Sequence, residues 1–311
     1  MNREFAVPQN RQMITVIGAP SSIGIRPYDH NGRQRQLTQT PHVLRELGLV
    51  SRLGANDLGD VEPPPYQDFT RPPGRARNES AMVEYSQTLA DRVASSVEPQ
   101  QFTVVLGGDC SIVLGCLLGA GRRVGRVGLV YIDGHADFAT PEQSQTGSVA
   151  SMCLAMAVGH GDSPLSRLTG STALVRAADV ALIGRRDAHE PDYGHAALAD
   201  SGILDLPGPD LPPIEGASGV SAVLERIGHS EMGGFWIHVD ADVLNPSIMA
   251  AVDSPEPGGP GIEELAAFLK PLVNHPKAVG MHLTIYDPAL DPDLSCARRL
   301  VALFESVLPT S

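Results

Sequence analysis

The chain has 311 residues, 42% hydrophobic and 19% charged, a composition that suits a folded α/β protein and excludes a disordered one. Asp and Glu outnumber Lys and Arg by 36 to 23, and the net charge of −13 argues against nucleic acid and anionic membranes as partners, because both are gripped through basic patches. No apolar run reaches the ~18 residues of a membrane span. The opening MNREFAVPQNRQMITVIG lacks the layout of a secretory signal. Four cysteines (Cys110, Cys116, Cys153, Cys296) without a CxxC pair are too sparse for a disulfide framework. These features predict a cytoplasmic protein with reduced thiols.

In chain order, the patterns predict a strand over 13–17, a Pro-rich loop over 62–75 and a helix over 79–97. A strand over 102–106 leads into a helix over 111–120, followed by strands over 127–132 and 180–183. After a second Pro/Gly loop (207–219) come a helix over 221–227 and a strand over 235–239. A third such loop (254–261) precedes a helix over 262–272, a strand over 278–285 and a helix over 295–307. Ser111 and Ser295 stand where helix N-caps would. Several strands are apolar at every position, as in a parallel sheet buried on both faces. The alternation predicts a three-layer αβα fold with an open, mostly parallel sheet, and no break resembles a linker, so one domain is expected over 1–311.

Two acidic segments carry the chemistry. Asp133, His135 and Asp137 form D-x-H-x-D directly after one apolar strand, and Asp240 and Asp242 form D-x-D directly after another. Both fall at C-terminal strand ends, where open parallel sheets bind ligands. In extended chain alternate residues share a side, so each segment can aim its polar side chains at one point. Four carboxylates that close repel unless cations neutralise them. Oxygen ligands with a lone imidazole suit Mn2+, and bridging carboxylates could hold two ions ~3.5–4 Å apart. A D-x-D alone would more ordinarily be a turn or cap; the two motifs together argue for metal. A third segment, Gly107-Gly108-Asp109-Cys110-Ser111, also joins a strand to a helix, and alone would read as an ordinary turn.

Taken together, Gly107–Ser111, Asp133–Asp137 and Asp240–Pro246 resemble the three motifs of the ureohydrolase family of arginase and agmatinase: G-G-D-H-S, D-A-H-x-D and D-x-D-x-x-D-P. Ile17–Pro20, Leu44–Leu49, Asp57–Val61, Gly184–Asp187 and Asp253–Gly259 extend the likeness over most of the chain. The resemblance implies an open, mostly parallel sheet of about eight strands and a binuclear Mn2+ site. It implies that a metal-bridging hydroxide attacks a guanidinium or amidine carbon and that a C–N bond breaks. By position, Asp133 and Asp240 would bridge the ions, Asp137 would complete one shell, and His135 and Asp242 the other. Asp242 and Asp137 are the catalytic candidates, with Asp242 accepting a proton. Thr146, Ser148, Asp187 and His189 stand at substrate-facing positions. The resemblance also implies a homo-oligomer, a trimer or hexamer.

The departures matter as much. Cys110 stands where the family has a metal-binding His, so the site would bind one ion weakly, prefer another metal or hold a single ion; otherwise Cys110 is a buried filler. Asn245 replaces the last Asp of its motif. Ala150 takes the position of a proton-shuttling His, with His160, His189 and His238 as replacement candidates. Ile285 takes that of a guanidinium-pairing Glu, His282 stands at another usually acidic position, and His189 replaces a second substrate-facing acid. The expectation is therefore an amidinohydrolase-like enzyme whose small guanidino or amidine substrate need not be arginine. Two alternatives remain. One is a family member without turnover, acting as a subunit or sensor. The other is a single-metal, deacetylase-like amidohydrolase with Tyr286 or Tyr193 as its stabilising hydroxyl.

Overall fold

The computed structural model describes residues 13–29, 31–67, 70–170, 172–189, 194–211 and 219–308. Tyr193, residues 68–69 of the first Pro-rich loop and 212–218 of the second lie outside them, as does most of the N-terminal stretch read for a leader.

Eight strands form one sheet in the order β2-β1-β3-β8-β7-β4-β5-β6, with every pairing parallel. They are β1 (Met13–Gly18), β2 (Asn56–Asp60), β3 (Gln101–Leu106), β4 (Val127–Ile132), β5 (Val180–Ile183), β6 (Leu204–Leu206), β7 (Gly234–Asp240) and β8 (Ala278–Thr284). The helices are α1 (Thr40–Glu46), α2 (Leu49–Leu53), α3 (Glu79–Ser96), α4 (Ile112–Val124), α5 (Cys153–Ala157), α6 (His195–Ser201), α7 (Val220–Ile227), α8 (Ile262–Val273) and α9 (Ser295–Val307). Every residue of β4 and β7 is buried, so both sheet faces are covered. Apart from α6, the helices fall into two packed groups. One is α3, α4 and α5; in the other, α9 packs on α1, α2 and α8, and α8 on α7. This is the predicted αβα architecture.

The sheet centre positions the site. β3 and β4 are successive strands in the chain, yet β8 and β7 lie between them. β4 leads on to α5 in one helix group and its neighbour β7 leads on to α8 in the other, so the connections leaving these two strands diverge, and a crevice opens above the C-terminal ends of β3, β8, β7 and β4. No helix among the described residues is long and apolar enough to cross a membrane.

Two local expectations are corrected. Ser295 lies inside α9 rather than before it; the first turn is capped by Asp291, whose carboxylate accepts from the Cys296 and Ala297 N–H groups at 3.1 and 2.8 Å. Ser111 does precede α4, but its hydroxyl makes no capping bond. The strand expected over 278–285 ends at Thr284, because Ile285 turns out of the sheet with φ +66°.

Candidate metal centre

Three strand ends use the same local device. Asp109, Asp133 and Asp240 each accept, through Oδ1, the backbone N–H two residues on, from Ser111 at 3.0 Å, His135 at 2.7 Å and Asp242 at 2.8 Å. A short carboxylate bonding its own chain in this way closes a tight turn. The turn leaves the second oxygen free to point elsewhere. In Asp109 it points inward to the Gly24 N–H and the Ser21 hydroxyl, tying the loop after β1 to the loop after β3. In Asp133 and Asp240 it belongs to the crevice.

The Gly107-Gly108 turn brings Cys110 there. A Cβ on Gly108 would lie 1.8 Å from the Ser21 carbonyl oxygen, so only glycine allows the two loops to touch. The Gly108 carbonyl accepts the Ile285 N–H at 2.8 Å, pinning the end of β8 to this turn. Cys110 Sγ then lies 2.9 Å from Asp240 Oδ2, which also accepts the Thr284 hydroxyl at 3.1 Å.

Two groups of potential cation ligands result, each with its donor atoms within 4.8 Å of one another: Cys110, Asp133, His238 and Asp240; and Asp133, His135 and Asp242. Asp133 is common to both. His135 Nδ1 is 3.0 Å from Asp242 Oδ2, and Asp242 Oδ1 accepts the Gly134 N–H at 3.0 Å. Asp137, which has φ +47°, stands apart from both groups: its Oδ2 accepts the Tyr131 hydroxyl at 2.5 Å and faces the Cys153 thiol at 3.3 Å.

Burial and crowding dominate the electrostatics of these groups. Burial, then the neighbouring Asp133 carboxylate, pushes the Asp137 carboxyl well above the usual range. Burial, Asp242 and Asp133 do the same to Asp240. Burial also pushes the Cys110 thiol well up, with Asp240 next in effect. Asp133 is the exception. Burial raises it too, but hydrogen bonds from His135 and His238 outweigh burial and hold it below the normal range. Buried carboxylates packed this densely call for cations, and the residues present fit divalent ions.

Above them opens a cavity of about 540 Å³. Cys110, Asp133, His135, Asp137, Asp240 and Asp242 line it together with Thr146, Ser148, Asp187, Ala150 and Ile285. Arg26, Arg35 and Asp253 line it as well. The Asp187 carboxylate is already engaged. It accepts the Ala136 N–H at 2.8 Å and meets Arg185 Nη1 at 3.3 Å, so it braces the D-x-H-x-D loop from behind. His189 does not line the cavity; it is exposed, with Nδ1 3.3 Å from the Arg186 carbonyl. His160 stacks on Phe138 at 5.4 Å between ring centroids. Tyr286 donates to Asp291 Oδ2 at 2.8 Å and faces away from the cavity lining, so it supplies no hydroxyl there. Asn245 accepts the Ser247 N–H and hydroxyl in a turn. His238, the third shuttle candidate, lies beneath the cavity rather than in its lining, with Nε2 3.3 Å from Asp133 Oδ2. Tyr131 and Cys153 touch the acidic cluster without a motif to announce them, and only their place as isolated polar residues on an apolar strand and helix could have flagged them.

The sequence model of the Arginase family matches residues 14–308. An arginase of Brevibacillus brevis is 29% identical over 294 residues, covering 92% of this chain and 96% of that protein. The arginase of Bacillus subtilis strain 168 is 26% identical over 300 residues, covering 95% and 97%. The solved structure of the Bacillus caldovelox arginase superposes with a TM-score of 0.81 at 25% identity, covering 96% of this chain and 99% of that one.

Proposed function

Because this chain belongs to the arginase family, we propose that it is a metal-dependent hydrolase that cleaves a C–N bond of a small guanidino or amidine compound. The observation that carries this reading is the convergence of Cys110, Asp133, His135, Asp240 and Asp242, from three strand ends, on the floor of one cavity. His135 and Asp242 would help hold one cation, Cys110, Asp240 and Asp137 a second, and Asp133, common to both ligand groups, would contribute to each. The oxygen-rich set suits Mn2+, and Cys110 softens one position. Divalent cations, when bound, lower the pKa of water toward neutrality and polarise the substrate.

The remaining work falls to this chain's own side chains. Asp242, with Oδ1 fixed by the Gly134 N–H and Oδ2 facing His135 Nδ1 at 3.0 Å, would accept a proton at the cavity floor. The Tyr131 hydroxyl braces one oxygen of Asp137 at 2.5 Å, which fixes the carboxylate at the edge of the cavity it lines. Thr146 and Ser148 on the cavity wall offer hydroxyl groups to the unreactive end of a substrate, and Asp187 holds the loop that carries His135. Ile285 and Ala150 line the reacting end, and neither can pair with a cation. The substrate therefore need not be arginine.

The test is a panel of guanidino and amidine compounds, assayed for amine or urea release with metal-stripped protein reconstituted with Mn2+. Release from at least one member is expected, falling by roughly a thousandfold or more in Asp133→Ala and in Asp240→Ala, equivalent to about 4 kcal/mol of barrier. Full activity in both variants would overturn the proposal.

A further inference from the structure

Beneath the acidic cluster lies a row of side chains that no motif contains. Trp236 and His238 are two residues apart on β7 and so share a face. His282 on β8 is registered opposite His238. All three are completely buried. Gly280 makes the arrangement possible, since a Cβ there would lie 2.4 Å from the indole Cζ3 of Trp236. The indole Nε1 is 2.6 Å from His282 Nδ1, His282 Nε2 is 2.6 Å from His238 Nδ1, and His238 Nε2 is 3.3 Å from Asp133 Oδ2. Tyr131 stacks on the His238 ring at 3.9 Å between centroids and 11° between planes, which holds the ring in its plane.

One donor at the head of this row fixes every proton in it. An indole N–H can only donate, so His282 Nδ1 must present its lone pair. Complete burial also disfavours a second proton on His282. Its single proton is then on Nε2 and is donated to His238 Nδ1. His238 Nδ1 must accept, so its own proton is on Nε2, facing the Asp133 carboxylate. The reverse order would set two N–H groups head to head at 2.6 Å between Trp236 and His282.

We propose that His238 is a positioning residue rather than a cation ligand: Trp236, acting through His282, locks it in the tautomer that donates Nε2–H to Asp133. By distance alone His238 qualifies as a ligand with Cys110, Asp133 and Asp240. A ligating imidazole must offer a bare nitrogen, and this nitrogen carries the proton. The donated N–H orients the carboxylate common to both cation groups, the role that outer hydrogen bonds play around metal centres. The consequence for cation affinity rests on the proposed reading of Asp133; the tautomers do not.

Two measurements decide it. Two-bond 1H–15N correlation spectra of the metal-free, 15N-labelled protein should show both His238 and His282 protonated on Nε2, the two rings being assigned by their loss in His238→Gln and His282→Asn. A proton on His238 Nδ1 would overturn the proposal. Calorimetric Mn2+ titrations supply the second readout. His238→Leu should weaken binding ~10–100-fold, whereas His238→Gln, whose amide still donates to Asp133, should stay within a few-fold of wild type. Equal losses in both variants would mark His238 as a ligand and overturn the proposal. Wild-type protein that bound no Mn2+ would sink the hydrolase reading, and the tautomers would still decide this one.

Discussion

Ile285 is the residue whose identity most directly shapes what the cavity can hold. It lines the cavity, and its φ of +66° is a conformation that costs a β-branched residue about 1–2 kcal/mol. The backbone pays this strain because the Ile285 N–H is held by the Gly108 carbonyl. Ile285→Glu would place an acid where a guanidinium could pair. The expected result is a rise in kcat/KM for guanidino substrates relative to less basic amidines, measured as a ratio across the panel; an unchanged ratio would show that the position does not read substrate charge. Gly108 sets a different limit. Gly108→Ala forces a methyl group against the Ser21 carbonyl, which should destabilise the fold by about 1–3 kcal/mol and weaken Mn2+ binding by displacing Cys110. Denaturant melts and cation titration of the same variant check both effects. At this scale much of the site was legible: each carboxylate motif sits at a strand end with two-residue spacing. The Trp236–His282–His238 row was not, because two isolated histidines 44 residues apart acquire meaning only through the β7–β8 register.

At the scale of elements, function and stability occupy opposite ends of the sheet. The C-terminal ends of β3, β4, β7 and β8 carry the carboxylates. At the other end, Arg126, just before β4, clamps Asp179, just before β5, through Nε at 2.8 Å and Nη2 at 2.7 Å. Burial works to raise the Asp179 carboxyl, but Arg126 and His229 outweigh it and hold the group below its ordinary value. A depressed folded pKa contributes stability that is present above the unfolded value near 4 and is lost as pH falls through the folded one. Asp179→Asn should therefore cost about 1–3 kcal/mol at neutral pH, with the deficit shrinking as acid protonates the wild-type carboxyl. Urea melts across that range test it, and a deficit independent of pH would refute the assignment. The same scale shows where pattern reading fails. The central strands announce themselves as apolar runs because both their faces are buried. Edge strand β2 reads Asn-Asp-Leu-Gly-Asp and is largely exposed, and β6 has three half-buried residues, so neither carries an apolar signal. The short helices α1, α2, α5 and α6 went unread for the same reason, since five to seven residues give too few turns for a periodicity.

For the whole molecule, the acidic balance and the buried acidic cluster bear on stability together. The folded state gathers carboxylates that the unfolded chain keeps apart, so cations that bind only the folded form must stabilise it. At a hundredfold excess over Kd the gain is about 2.7 kcal/mol, which for a chain of this size corresponds to a rise in Tm of several degrees. Thermal melts with chelator and with Mn2+ check this, and the rise should vanish in Asp240→Ala. A rise that survived in that variant would place the cation elsewhere.

The cage has one further consequence, which concerns the order of events during synthesis. Its ligands are contributed by stretches as far apart as Cys110 and Asp240, 130 residues distant in sequence, and the turn bearing Cys110 is pinned by the segment that follows β8. A ribosome-bound or truncated chain that stops short of residue 285 would carry every carboxylate and still lack the geometry to capture an ion. Ion capture would then be a late milestone of folding, slow to arrive because its contacts are so non-local. Trp236, the lone tryptophan of the chain, packs on β8 at Gly280 and His282 and is a built-in fluorescent reporter of that strand's docking.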